Sequence, residues 1–144
     1  MAAPHPCSTT GPRVDCVGGI VVDGAGRLLL VRRGQEPAKG TWSVPGGRVE
    51  AGETDAVATA REVLEETALR VQVGRFVGSV ERDAPAGGVY VIRDYLCALA
   101  DGADPDAVRA GDDADEAAWF PPAEVPRLDT SPGLVEALTG WGVL

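Results

Sequence analysis

Histidine and lysine are almost missing from this chain: its 144 residues hold one of each, His5 and Lys39. A single histidine near the N-terminus all but excludes Ser-His or Cys-His nucleophilic chemistry and histidine-ligated zinc. Cysteine is scarce too. Cys7, Cys16 and Cys97 form no CxxC pair, so neither a zinc knuckle nor a disulfide framework is encoded, and they read as buried or tail thiols in a reducing cytoplasm. Long apolar runs are lacking. Val17–Val22 and Leu28–Val31 are the longest, far short of the ~20 residues that cross a bilayer. The opening MAAPHPCSTTGPR has no basic stretch followed by an apolar core, so it does not read as a secretory leader. Residues 1–13 are expected to be a flexible tail. Positive charge is in deficit: 13 Lys and Arg against 22 Asp and Glu give a net charge of −9. That balance disfavours duplex nucleic acid, whose binding needs basic surface to displace counterions. Neither a nucleic acid nor a membrane is therefore expected as a partner.

What is present reads as one domain over residues 14–144, with 44% hydrophobic residues to fill a core. Val14–Asp23 and Arg27–Arg33 read as strands of a hairpin around Asp23-Gly24-Ala25-Gly26. Trp42-Ser43-Val44 is a short extended piece stopped by Pro45-Gly46-Gly47. Thr54 to about Thr67 reads as a helix capped by Thr54, with Val57, Ala60, Val63 and Leu64 on its apolar face. Leu69–Val80 and Val89–Leu99 are strands joined by Glu81–Gly88, and Asp101–Asp115 is an acidic loop. Trp119-Phe120 is a short strand before Pro121-Pro122, and Asp129–Trp141 is a C-terminal helix capped by Thr130 or Ser131. Without regular βαβ alternation, this order predicts α+β with a mixed sheet.

Within the central helix lies Arg61-Glu62-Val63-Leu64-Glu65-Glu66. Successive helical residues turn by about 100°, so Glu62 and Glu66 lie about 40° apart and Glu65 about 60° to the other side. Like charges at such spacing repel by about 0.2–0.5 kcal/mol per pair. Three carboxylates on one side with no balancing lysine suit a hard divalent cation, which takes oxygen ligands and shares its shell with substrate phosphates. Arg61 can reach back to Glu53 and tie loop to helix through a bidentate pair. Gly46 and Gly47 carry no side chain to obstruct the approach of backbone to a metal. An EF-hand in Asp101–Asp112 is disfavoured, since Gly102 takes the second place and no glutamate ends the loop.

The stretch from Gly47 through five residues to Glu53, then seven residues to Arg61-Glu62-Val63-Leu64-Glu65-Glu66-Thr67-Ala68-Leu69, resembles the signature of the Nudix hydrolases. It keeps both long spacings and all the charged positions. Trp42-Ser43-Val44-Pro45-Gly46-Gly47 and Trp119-Phe120-Pro121 also resemble the family, so the likeness covers roughly residues 14–140. One position departs: the family usually has glycine where Ala68 stands, and alanine in the left-handed conformation of a helix end costs about 1 kcal/mol.

The resemblance implies an α/β/α sandwich that hydrolyses the diphosphate of a nucleoside diphosphate derivative. It implies magnesium as the cofactor, with manganese as a substitute. Glu62, Glu65 and Glu66 would be metal ligands and supply the base, the Gly47 or Gly46 carbonyl would join them, and Arg61 with Glu53 would be the orienting pair. Asp113 and Glu116 are candidates for an extra carboxylate in the acidic loop. For an anionic substrate, Arg32, Arg33 and Lys39 are candidate cations. Tyr90, Trp42 and Phe76 are candidate surfaces for a base, and Glu116 a candidate substrate contact. Two small-molecule substrate classes compete: ADP-ribose-like sugar nucleotides and (deoxy)nucleoside triphosphates. The alternative in another class is a non-catalytic nucleotide-binding or regulatory module of the same fold. Many members of the family are dimers, so the resemblance also implies a homodimer as one assembly.

Overall fold

The computed structural model describes residues 12–36, 38–111 and 113–144. Most of the expected tail, with His5 and Cys7, lies outside the described residues. The elements in chain order are β1 (Arg13–Val21), β2 (Leu28–Arg33), β3 (Trp42–Ser43), β4 (Gly46–Arg48), α1 (Asp55–Thr67), β5 (Val71–Asp83), β6 (Val89–Leu99), β7 (Ala114–Phe120) and α2 (Leu134–Gly140). They form a mixed four-stranded sheet ordered β4-β1-β6-β5, in which β1 and β6 run parallel, and a three-stranded antiparallel sheet ordered β3-β2-β7.

Alternation along the central strands sorts the core into two layers. Ile20 of β1 and Leu28 and Leu30 of β2 pack with Leu134 and Leu138 of α2. Their neighbours Val21 and Leu29 point the other way and pack with Val63 of α1, Leu69 and Cys97. Cys16 through Val21 are all buried, as expected of a strand covered on both faces. The helices therefore lie on opposite faces, which makes an α/β/α sandwich of α+β class. Cys16 and Cys97 are free, buried thiols.

Several expectations are corrected. The β1–β2 hairpin exists only at its turn, where Val22 bridges Leu28; beyond it the strands diverge, β1 to β4 and β6, β2 to β3 and β7. Gly46-Gly47 does not end extended structure but begins β4, paired with Val17 and Gly18 of β1. Glu81–Asp83 belong to β5, and β7 starts five residues before Trp119, at Ala114. The C-terminal helix is much shorter than Asp129–Trp141. Trp42 N–H donates to the Asp129 carbonyl at 2.8 Å and Ser131 N–H to the Trp42 carbonyl at 2.9 Å. That ladder holds residues 129–131 extended against β3, so α2 begins after Gly133, whose φ of 83° breaks the chain direction, and no side chain caps it.

Helix α1 follows expectation more closely. Thr54 Oγ1 accepts from Val57 N–H at 3.2 Å. Ala68 ends the helix in the left-handed region at φ 64°, its N–H on the Leu64 carbonyl at 2.9 Å. The chain thus makes the turn that glycine usually makes, and carries the strain of doing so with alanine. Of the expected apolar face only Val63 is fully buried. The buried face consists of Ala58, Thr59, Val63 and Thr67, while Val57 is 55% exposed.

Candidate active site

Arg61 organises the outer half of the site. Its Nε and Nη2 donate to the two Glu53 carboxylate oxygens at 2.7 and 2.9 Å, a bidentate pair that pins the loop to α1. Nη2 also donates to the Arg48 carbonyl at 3.0 Å. Nη1 donates to Glu62 at 2.9 Å and to Glu65 at 3.2 Å. The guanidinium holds the Glu53 carboxyl down to about 2, and Glu53 together with Glu62 raises Arg61 further above its ordinary range. One cation thus answers the repulsion that the spacing of the glutamates implies.

Glu66 stands in a different environment. It accepts the Gly46 N–H at 3.0 Å. Burial, then the charge of the adjacent and hydrogen-bonded Glu62, push its carboxyl up to about 8. Gly47 is needed beside this pair: a Cβ there would meet the Glu62 carboxylate at 2.5 Å. At Gly46 a Cβ would fall on the Val17 carbonyl oxygen. Both glycines are required by close approach, not by a left-handed backbone.

The expected trio is therefore split. Glu62 and Glu66 come together beside Gly46 and Gly47, while Glu65 lies 58% exposed on the outer side of Arg61. Among the described residues no three acidic, histidine or cysteine side chains converge closely enough to hold a metal. The Glu62–Glu66 pair nonetheless fits a divalent cation. Two carboxylates share a partly desolvated corner in which one is forced to keep a proton, and a cation between them would relieve that repulsion.

Gly46 and Gly47 also wall a cavity of about 260 Å³ that reaches from this corner to the face of α2. Its polar lining includes Arg33, Arg48, Arg82, Tyr90 and Asp94; Val44, Ile92, Leu138 and Trp141 supply apolar surface. Arg48 reaches Tyr90, its guanidinium 5.8 Å from the ring centre. Of the expected substrate contacts, Arg33 and Tyr90 are in place. Arg32, Lys39 and Glu116 are not in the cavity wall. Arg32 and Glu116 face each other across the β2–β7 register and pair at 3.1 Å. Lys39 is exposed in the loop after β2. Asp113 is exposed, and its carbonyl receives the Gly34 N–H at 3.1 Å. Among the described residues it joins no group of three that could hold a metal. Trp42 packs edge-on against Phe120 at 4.9 Å, and Phe76 lies exposed against Tyr95. Sequence reasoning missed Arg48, Arg82, Asp94 and Trp141, whose common destination depends on strand register and on how α2 docks.

Paired acids on α1, beside the glycine wall of a cavity lined with arginines, suit the handling of a phosphorylated small molecule. The NUDIX domain family model matches residues 12–139. A MutT-like protein of Streptomyces ambofaciens is 34% identical over 125 residues, covering 87% of this chain and 75% of that protein. An ADP-ribose pyrophosphatase of Methanocaldococcus jannaschii is 37% identical over 111 residues, covering 75% of this chain and 62% of that protein. The crystal structure of a MutT NUDIX hydrolase from Burkholderia pseudomallei superposes with a TM-score of 0.73 at 26% identity, over 90% of this chain and 98% of that one. The chain belongs to the Nudix family of hydrolases. No helix among the described residues is long and apolar enough to cross a membrane.

Proposed function

We propose that residues 14–144 form a single catalytic domain, a magnesium-dependent pyrophosphohydrolase. It would cleave the diphosphate of a nucleoside diphosphate derivative, with ADP-ribose-like sugar nucleotides as the first substrate class and nucleoside triphosphates as the second. The observation that carries this reading is the Glu62–Glu66 pair packed against Gly46 and Gly47, which wall the cavity. The ADP-ribose pyrophosphatase among the relatives supports the first class, and an 8-oxo-(d)GTP phosphatase of Mycolicibacterium smegmatis, 36% identical over 85 residues, the second. The free thiols of Cys16 and Cys97 suit a reducing cytoplasm.

Glu62 and Glu66 would hold the cation, with a Gly46 or Gly47 carbonyl beside them and Glu65 at the periphery. When bound, the metal neutralises phosphate charge and lowers the pKa of a water. The chain's own residues do the rest. Arg61, fixed by Glu53, keeps Glu62 turned to its place. Arg33 and Arg82 line the cavity and present charge to the phosphates. Glu62 or Glu66 would take the proton of the attacking water.

The test is a hydrolysis panel with Mg²⁺ containing ADP-ribose, other sugar nucleotides, common and oxidised triphosphates and a dinucleoside polyphosphate, resolved by chromatography. One substrate cleaved far faster than the rest, between its phosphates, is the expected result. Tight nucleotide binding without turnover of any would overturn the proposal in favour of a binding module. Mass in solution would decide whether the domain works as a homodimer.

A further inference from the structure

We propose that Asp94 is a specificity-determining residue that accepts hydrogen bonds from an amino-bearing nucleobase at the floor of the cavity. The inference rests on a nucleotide being the ligand, and it is read from the side chain least explained by the fold. Asp94 is 5% exposed and its Oδ1 has no hydrogen-bond partner among the described residues. Buried polar groups are nearly always paired, so an orphan of this kind requires an explanation. Arg82 acts on the carboxyl only through charge, and burial pushes it up to about 7.

The surroundings of Asp94 are arranged around it. Strand register sets Asp94 of β6 opposite Gly18 of β1 on one side and Gly78 of β5 on the other. A Cβ at Gly18 would fall on Asp94 Oδ1, and a Cβ at Gly78 would fall on the Trp141 indole. One glycine thus seats the carboxylate and the other seats an aromatic ring. Asp94 and Trp141 line the same cavity that Gly46 and Gly47 wall at its acidic end. A carboxylate beside an indole complements a flat heterocycle that offers an N–H donor at its edge. An ionised carboxylate fits neighbouring amino and imino groups. A protonated one fits an amino group beside a ring nitrogen acceptor. Either state selects a base carrying an exocyclic amino group, and a site built to pair a donor rejects analogues that lack it.

The test is calorimetric binding of mononucleotides in EDTA, comparing GMP with IMP, AMP with IMP and CMP with UMP. Wild type is compared with Asp94→Val and Asp94→Asn, and the melting temperature of each variant is recorded. The wild-type protein is expected to bind the amino-bearing member of at least one pair about tenfold tighter or more. Asp94→Val should erase that preference, while Asp94→Asn, which keeps one acceptor and adds a donor, should erase a preference for guanine and retain one for adenine or cytosine. If Asp94→Val does not fold, Asp94→Ala takes its place. No discrimination by wild type, or discrimination unchanged in folded Asp94→Val or Asp94→Ala, would overturn the inference. Because the measurement uses neither metal nor turnover, absence of hydrolysis would remove the proposed activity and leave this inference standing.

Discussion

Two regions of the site treat carboxylates in opposite ways. Around Arg61 each acid is answered: Glu53 takes two hydrogen bonds from one guanidinium, and Glu62 and Glu65 take one each. At the floor, Asp94 is buried on glycine with Oδ1 unpartnered. The first region is built to stay as it is, and its charges fix geometry. The second is left incomplete among the described residues, which costs stability. Glu66 stands between them, held by one backbone N–H and opposed by Glu62.

The largest expected effect comes from neutralising the acidic corner. Glu66→Gln should lower turnover by about 10²–10⁴-fold with the fold retained. Turnover within a few-fold of wild type, with an unchanged melting curve, would remove Glu66 from the chemistry. Breaking the answered region comes next. Arg61→Ala should reduce activity by about 10–100-fold, as for groups that orient metal ligands. Arg61→Lys should recover little, because an ammonium cannot reproduce the bidentate pair with Glu53. Full rescue by lysine would show that charge alone matters there.

The floor is sharpened by pH. Burial raises the Asp94 carboxyl from its usual 3.8 to about 7. For a raised acid the folded state binds its proton more tightly than the unfolded state. The stabilising contribution is therefore complete below about 4 and lost as pH rises through 7. At about 1.4 kcal/mol per pH unit, that window is worth up to about 4 kcal/mol. Asp94→Asn should flatten the fall in melting temperature between pH 4 and 7 and match or exceed wild type at pH 7.5. A fall of equal slope in the variant would mean that Asp94 does not titrate in this window. The smallest effect lies at the helix end. Ala68 sits at φ 64°, so Ala68→Gly should stabilise by up to about 1 kcal/mol in urea unfolding, with activity unchanged.

How much of this could be read from the chain follows from the range of the contacts. Thr54, Glu53, Arg61, Glu62 and Glu66 lie within a few helical turns of each other, so spacing brought Arg61 to Glu53 and Glu62 beside Glu66, but it did not show Arg61 holding Glu65 to its outer side. The buried face of α1 was misjudged because two of its residues are threonines. The Thr59 and Thr67 hydroxyls donate to the carbonyls of Asp55 and Val63 at 2.7 and 2.6 Å, which lets them bury like apolar groups. The extended segment before α2 depends on a ladder to Trp42, nearly ninety residues earlier, while Thr130-Ser131-Pro132 read locally as a helix start. Arg32 looked like a substrate contact until the β2–β7 register paired it with Glu116. Asp94 shows no signal in the sequence at all. Its meaning comes from two glycines, Gly18 and Gly78, brought to either side of it by separate strands.

The most direct test of the account is titration of the protein with Mn²⁺ at pH 7, followed by electron paramagnetic resonance together with measured proton release. If Glu62 and Glu66 hold the cation, wild type binds Mn²⁺ and releases part of the proton that burial and Glu62 keep on Glu66. The Glu62→Gln/Glu66→Gln double variant should lose both signals while keeping its melting curve. Mn²⁺ bound by that variant as tightly as by wild type would place the metal elsewhere and contradict the account.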